Sequence, residues 1–376
     1  MQRYGVLVLE IIRHGDSLKM SLYERTQISP TLKHFSQHHV SFKEIDNFCR
    51  EIISILNSSD TSGELRDPVS LKELAKIGQL LWEHLFTASV KKTLINTNFA
   101  DLVLQIDEEL VHIPWELLYN GKNFLCLVFN LGRVVRTARQ IFASSYRGHG
   151  SFLKMLVLAN PTADLKSAYL EGLNIKNQFD HRRDRVHIDF KSTYIERLYV
   201  KKHIHDYDLV HFAGHCEYEE NDIENSGWVL SDGKFTIHDI TTMAGTAEYP
   251  SLIFSNGCCS AKSKDIFLEG DYQEKNYNLA SAFLFSGVRH YIGSIRRISD
   301  SESFLFAKEF YNQILSGKSI GEALRLSRLN LIKENGITDI HWLSYLLYGD
   351  PSFGFFAARV KRRAGFRFKH VLSFLK

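Results

Sequence analysis

The residues best suited to chemistry stand at two points of the sequence. Gly214-His215-Cys216 follows the apolar run Leu209-Val210-His211-Phe212-Ala213, and Asn256-Gly257-Cys258-Cys259-Ser260 follows Ser251 to Ser255. Both runs read as buried strands, so a histidine and a cysteine leave the ends of two strands, 43 positions apart. Nucleophilic cysteine chemistry needs this pairing. The thiolate is the reactive form, a neighbouring imidazole takes its proton, and backbone N–H groups must face the developing oxyanion. Gly257 lets the chain turn sharply ahead of Cys258. The N–H groups of Cys258 and of Cys216, the residue after His215, are natural oxyanion donors. His211, four positions before His215 and on the same face of an extended strand, reads as a supporting core histidine. His203, His205, His211, His215 and Cys216 could together form a metal cluster. No carboxylate at helical ligand spacing accompanies them, so zinc hydrolysis is the minor reading and no metal or organic cofactor is expected.

The elements that must position these residues alternate along the chain. Residues 5 to 25 read as a hairpin around His14-Gly15-Asp16. A helix follows over 41 to 57, opened by a Ser41/Glu44 capping pattern and carrying Ile45, Phe48, Ile52, Ile53 and Leu56 at helical spacing. The polar segment 57 to 68 reads as the one internal boundary. Beyond it the spacing predicts a helix over 70 to 86, then strands near 102 to 106 and 124 to 130, with Ile113-Pro114-Trp115-Glu116-Leu117-Leu118 between them. Leu153 to Ala159 is nearly all apolar, as in a parallel sheet covered on both faces. Helices near 164 to 178 and 193 to 204, strands near 185 to 189 and 228 to 230, and a final set of helix 279 to 285, strand 290 to 295 and helices 301 to 316 and 319 to 334 complete the pattern. Such alternation is the sequence form of an α/β sheet, whose functional groups gather at the carboxyl ends of strands. Trp115 and the phenylalanine-rich helices read as packing.

Composition narrows the field. The chain has 376 residues, 44% of them hydrophobic, with 46 Lys+Arg against 43 Asp+Glu. That is a globular composition, and at this length one main domain with appendages is expected. Seven of the bases lie in the last 18 residues, from Arg359, without an acid among them, so the body carries 39 bases against 43 acids. The body therefore gives no footprint for nucleic acid, and polyanion contact would be a property of the tail. Phe366, Phe368, Leu372, Phe374 and Leu375 are interleaved with those bases and want a surface to cover, a membrane or a partner. The five cysteines show no disulfide framework and no Cys-x-x-Cys pair. The apolar start is short and broken by Glu10, and nowhere do 18 apolar residues run together, so a reducing, cytoplasmic setting is expected.

Residues 207 to 353 resemble the CHAT family of caspase-like peptidases, relatives of separase and the caspases. Val210 to His215 (VHFAGH) is similar to its histidine motif, Ser255 to Ala261 (SNGCCSA) to its usual N-A-C-E-S-A, and residues 277 to 295 to its helix–strand unit. Leu346 to Pro351 (LLYGDP) is similar to its terminal block, and residues 110 to 125 match the proline-tryptophan-glutamate segment of the first half of such domains. The His-to-Cys spacing is close to the roughly 50 residues of caspases, though the local motif differs.

The resemblance implies a caspase-like three-layer α/β sandwich with a mostly parallel central sheet. It places the general base on His215 and the nucleophile on Cys258, in register with Asn256 and Ser260-Ala261. Cys216 stands where glycine is usual after the histidine, and Cys259 stands where glutamate is usual after the nucleophile. In relatives the specificity pocket comes from the loop that here runs from Ser294 to Asp300. Arg296 would select an acidic residue before the cut, and Asp300, or Asp232 in the Ser231-Asp232-Gly233 turn, a basic one. The implied division is a hairpin-plus-helix addition over 1–68, a non-catalytic first half over 69–160, a catalytic half over 161–358, and the basic-aromatic tail over 359–376. The implied function is a cysteine endopeptidase that cleaves a specific protein, such as a pore-forming or effector protein of bacterial (antiviral) defence or cell death, under a regulatory partner. The competing reading is a scaffold that keeps the fold and recruits partners without cutting them.

Overall fold

A computed structural model describes residues 5–25, 34–61, 68–142, 145–148, 150, 152–180, 185–219, 221–257, 279–294 and 300–356. The chain opens with a hairpin of β1 (Val6–His14) and β2 (Ser17–Glu24), then β3 (Ser36–His39). Gly15, at φ +59, makes the tight connection expected at His14-Gly15-Asp16. Three helices follow, α1 (Phe42–Thr61), α2 (Pro68–Leu85) and α3 (Ala88–Asn96). Next come β4 (Asp101–Asp107), the one-turn α4 (Leu125–Val128) and β5 (Asn130–Arg136). The second half runs β6 (Leu153–Ala159), α5 (Lys166–Asp180), β7 (Val186–Ser192), α6 (Arg197–His203) and β8 (Leu209–Ala213). A small antiparallel sheet of β9 (Cys216–Glu217), β10 (Gly227–Leu230) and β11 (Gly233–Thr236) precedes α7 (Ile237–Thr242) and β12 (Leu252–Asn256). The chain then passes through α8 (Leu279–Phe285), β13 (His290–Ser294), α9 (Asp300–Leu315), α10 (Ile320–Asn335) and β14 (Tyr345–Tyr348).

Eleven strands form one sheet in the order β3-β2-β1-β4-β5-β14-β13-β12-β8-β6-β7. β1, β4 and β5 are parallel to one another, as are β13, β12, β8, β6 and β7. β14 joins the two groups, parallel to β5 and antiparallel to β13. The first three strands thus extend the central sheet at one side, with β3 at the edge and β1 in register with β4 from Val6↔Asp101 to Ile11↔Ile106.

Period-two alternation assigns the strand side chains to two cores. Met155, Val157 and Ala159 of β6 face one core with Leu252 and Phe254 of β12, whereas Leu156, Leu158 and Ile253 face the other. Residues of α1, α2, α5, α9 and α10 cover the first face along the length of the sheet, and those of α6, α7, α8 and the small sheet cover the second face over the strands of the second half of the chain. The result is the mostly parallel, helix-covered α/β sheet expected. Among the described residues no helix is long and apolar enough to cross a membrane.

One expected strand is displaced. Residues 124 to 128 fold as a loop and the single turn α4, and the strand is Asn130 to Arg136. A short apolar run does not distinguish the two, and here Phe124 packs edge-on against Trp342 at 5.5 Å instead of joining a ladder. The true strand carries a buried Arg133, which obscures its signal. Its Nε donates to Glu116 Oε1 at 3.0 Å, its Nη2 to Glu116 Oε2, and its Nη1 to the Val111 carbonyl at 2.8 Å. Glu116 of the Pro-Trp-Glu segment therefore serves β5, while Trp115 is buried and bonds Leu110 O through Nε1 at 3.0 Å.

Candidate active site

Three strand ends converge on His215. The residue follows β8, and its carbonyl accepts from Val229 N at 2.9 Å, which pins it between β8 and the small sheet. Trp228, paired in register with Cys216, stacks on Phe212 at 4.5 Å and donates Nε1–H to Ser255 Oγ at 2.8 Å. The small sheet is thereby bound to both β8 and β12.

The imidazole of His215 is 44% exposed, and its Nε2 lies 3.0 Å from Asp164 Oδ2. Asp164 lies in the β6–α5 connection, where Asn160 (φ +53) and Ala163 (φ +66) both adopt left-handed backbone. Asparagine tolerates that region and alanine is strained there, a conformation held by Ala163 N to Asn160 O at 3.1 Å and Leu165 N to Asn160 Oδ1 at 2.7 Å. The hydroxyl of Thr162, and then the His215 ring, hold the Asp164 carboxyl below the ordinary carboxylate range. Among the described residues no hydrogen bond reaches Nδ1 of His215, which leaves that nitrogen for a proton exchange.

β12 lies directly beside β8, with Asn256, its last residue, opposite Ala213, and is followed by Gly257, the residue before Cys258. Gly257 is not in the left-handed region, so a sharp turn is not its reason. A Cβ on it would stand 3.0 Å from both Cys216 Cβ and Gly214 O. Its missing side chain lets the ends of β8 and β12 touch. Ser294, at the end of β13, donates to the Gly257 carbonyl at 2.7 Å.

A buried polar chain lies beneath these ends. His211 Nε2 and Asn256 Nδ2 each lie 2.7 Å from Glu171 Oε1, Tyr311 OH lies 3.0 Å from His211 Nδ1, and Tyr345 OH donates to Asn256 Oδ1 at 2.7 Å. His211 is thus a supporting core residue, and Asn256 ties the end of β12 to α5 and β14. A cleft of about 160 Å³ opens between this chain and His215, lined by Leu165, Ala168, Glu171, Asn256, Gly257 and Ser294 among others.

The remaining candidates are placed unevenly. Cys258, Cys259 and Arg296 lie outside the described residues, as does the side chain of Asp300, whose backbone begins α9. Asp232 sits in the two-residue turn between β10 and β11, and its carboxylate accepts from Arg197 N at 2.7 Å. It is engaged at the start of α6 and does not line the cleft. Among the described residues no group of three or more His, Cys, Asp or Glu side chains is arranged for a metal ion. His203 instead pairs with Asp206 at 3.1 Å, and His205 faces the Glu248 carbonyl at 3.3 Å.

Asp164 and Glu171 escape a reading of motifs. Asp164 had a usable signal, since it follows the end of β6, a strand adjacent to β8. Glu171 had another, since it shares the i, i+4, i+8 stripe of Ile175 and Phe179, and a carboxylate on a buried helix face asks for partners.

The model of the CHAT domain family matches residues 75–350. A chain of the Saccharomyces cerevisiae separase–securin complex superposes with a TM-score of 0.58 at 13% identity, over 92% of this chain and 30% of that one. A second crystal structure of the same complex gives 0.56 at 12% identity with the same coverage. The arginine-specific cysteine proteinase gingipain R matches with a TM-score of 0.48 at 14% identity, over 83% of this chain and 75% of that one. The chain thus spans about 30% of the length of the separase–securin chains it matches. No curated protein matches the sequence.

Proposed function

The chain belongs to the CHAT domain family, and from that premise we propose that it is a cysteine endopeptidase with His215 as general base and Cys258 as nucleophile. The supporting observation is the contact of two adjacent strand ends. One carries an imidazole tethered through Nε2 to Asp164 with Nδ1 open, and the other leads into the glycine that immediately precedes Cys258.

In this reading Nδ1 takes the thiol proton and the Cys258 sulfur attacks the peptide carbonyl carbon. The carbonyl oxygen becomes an oxyanion facing the N–H groups of Cys216 and Cys258. Collapse breaks the C–N bond, the amine leaves with the proton from His215, and an acyl-enzyme remains. Water, deprotonated by the same nitrogen, then releases the acid and restores the thiol. Asp164 positions the ring throughout, and the reaction uses no metal or cofactor.

The substrate is a protein partner in a reducing, cytoplasmic setting, of the pore-forming or effector type that family resemblance implies for bacterial defence. The basic tail supplies contact with a membrane surface or partner. Labelling with a peptidyl acyloxymethyl ketone tests the dyad. Wild type and Cys259→Ala should be alkylated at position 258, and Cys258→Ala and His215→Ala should not. Equal labelling of wild type and Cys258→Ala would leave a scaffold as the function.

A further inference from the structure

Glu171 is a charged side chain only 2% exposed, yet it lines the cleft that opens beside His215 and Gly257. Burying a carboxylate is costly unless it is bonded or finds a counter-charge. Its two oxygens are unequally served. Oε1 takes both short hydrogen bonds, from His211 Nε2 and Asn256 Nδ2 at 2.7 Å, whereas among the described residues Oε2 has only Ser303 Oγ at 3.4 Å.

The ring of His211 serves Oε1 of that carboxyl group and leaves Oε2 to Ser303. Among the described residues the one hydrogen-bond partner of the Tyr311 hydroxyl is His211 Nδ1, at 3.0 Å, in a fully buried setting. Were Nδ1 protonated, the phenol would have no acceptor for its own hydrogen. The hydrogen-bond pattern therefore assigns one ring proton, on Nε2, so that Nδ1 accepts from Tyr311 and the ring supplies Glu171 with a single hydrogen bond, to Oε1. Asn256 is oriented in the same way, because its Oδ1 accepts from Tyr345 OH and so its Nδ2 must face Glu171.

Above the carboxylate, Leu165 and Ala168 offer apolar walls, and Ser294 and Gly257 close the side toward β12. A cleft with apolar walls at Leu165 and Ala168 that reaches a buried carboxyl group, one oxygen of which is poorly served, fits a long aliphatic stem with a cationic head.

We propose that this cleft is the pocket for the substrate residue preceding the cut, and that Glu171 selects arginine or lysine there. The proposal deepens the peptidase reading and rests on it. The cationic head meets Oε2 while the stem lies along Leu165 and Ala168. An aspartate or glutamate would be repelled by like charge, and a neutral side chain would leave the carboxylate without its counter-ion.

Matched acyloxymethyl ketone peptides differing only in that residue test it on the full chain. Arginine and lysine probes should label wild type about 100-fold faster than a norleucine probe, with aspartate slowest. In Glu171→Gln the arginine-to-norleucine ratio should fall close to one. Equal rates for arginine and norleucine in wild type, or an arginine advantage that persists in Glu171→Gln, would overturn the proposal while leaving the peptidase intact. Calorimetry with n-butylguanidine on Cys258→Ala separates the two readings further. Binding that disappears in Cys258→Ala/Glu171→Gln supports the pocket even if no probe labels Cys258, an outcome that removes only the peptidase. Failure of Cys258→Ala to bind n-butylguanidine counts against the pocket.

Discussion

Nε2 of His215 and Oδ2 of Asp164 lie 3.0 Å apart, although 51 residues separate them and each belongs to the end of a different strand. The bond engages Nε2 and leaves Nδ1 as the ring nitrogen that no hydrogen bond reaches among the described residues. Replacing Asp164 by asparagine keeps the shape and removes the charge. We expect kcat to fall about tenfold with KM unchanged, less than for a buried triad carboxylate because this pair is solvated. Thr162 and His215 hold the Asp164 carboxyl low, so its contribution is present above the ordinary carboxylate range and disappears as pH falls through the lowered value. A steady-state pH series on wild type and Asp164→Asn checks both points. A change confined to KM would remove Asp164 from its positioning role.

Gly257→Ala places a methyl group 3.0 Å from Cys216 Cβ and Gly214 O. Backbone at the two strand ends must part by a few tenths of an ångström, and positioning errors of this kind are costly to a nucleophile. The variant should lose at least tenfold in kcat while its melting temperature falls by only a few degrees. Unchanged turnover would show that the contact does not align the site.

Glu116→Ala strips the carboxylate from Arg133, which is 1% exposed. Removing one partner of a buried pair typically costs about 3–5 kcal/mol, and replacing both by apolar residues costs less. Urea unfolding of Glu116→Ala and of the double variant Glu116→Leu/Arg133→Met should show that order. If the double variant is the less stable, the pair is more than internal compensation.

Burial pushes the Cys126 thiol up from an ordinary 9.0 to about 12, and raises Cys49 further. Below pH 9 both thiols are neutral whether folded or unfolded, so they add no pH dependence. Above it only the unfolded chain ionises them, so stability falls as pH rises, by about 1.4 kcal/mol per pH unit for each thiol. Denaturation of wild type and Cys126→Ala between pH 8 and 10.5 should show a shallower decline for the variant. In native protein at pH 7.5, iodoacetamide should spare both residues.

The described chain ends in packed residues, with Phe355 8% exposed and the family match closing at residue 350. Ending the protein after Ala358 should therefore leave the melting temperature and Cys258 labelling unchanged and alter only binding to anionic vesicles or a partner. Loss of labelling would assign the tail to the catalytic fold.

Much of this arrangement is legible in the sequence. The apolar runs at Leu153, Leu209 and Leu252 announce parallel strands, and the small residues after the last two announce the working edge. What stays hidden depends on partners far along the chain. Arg133 disguises β5 because nothing local reveals that Glu116 neutralises it. β14 is only four residues and owes its existence to pairing with β13. Asp164 looks like an ordinary acid ahead of a helix, and Glu171 like an acid within one, until the sheet order brings β6 beside β8. Gly257 is conspicuous in sequence, yet its role is contact, and contact needs the neighbouring strand.

β14 runs with β5 and against β13, so the carboxyl ends of the two strand groups point in opposite directions. The molecule has a back door as well as a front. At the back, a cleft of about 400 Å³ opens along the seam between Arg133, Tyr348 and His290. Front and back are bridged by one short rod. Tyr345 at one end of β14 grips Asn256 beneath the cleft at His215, and Tyr348 at the other end lies across from Arg133. Only about 10 Å of strand separates those ends. The residue that faces the rear cleft and the anchor of Asn256, two residues before Cys258, thus stand on a single four-residue strand.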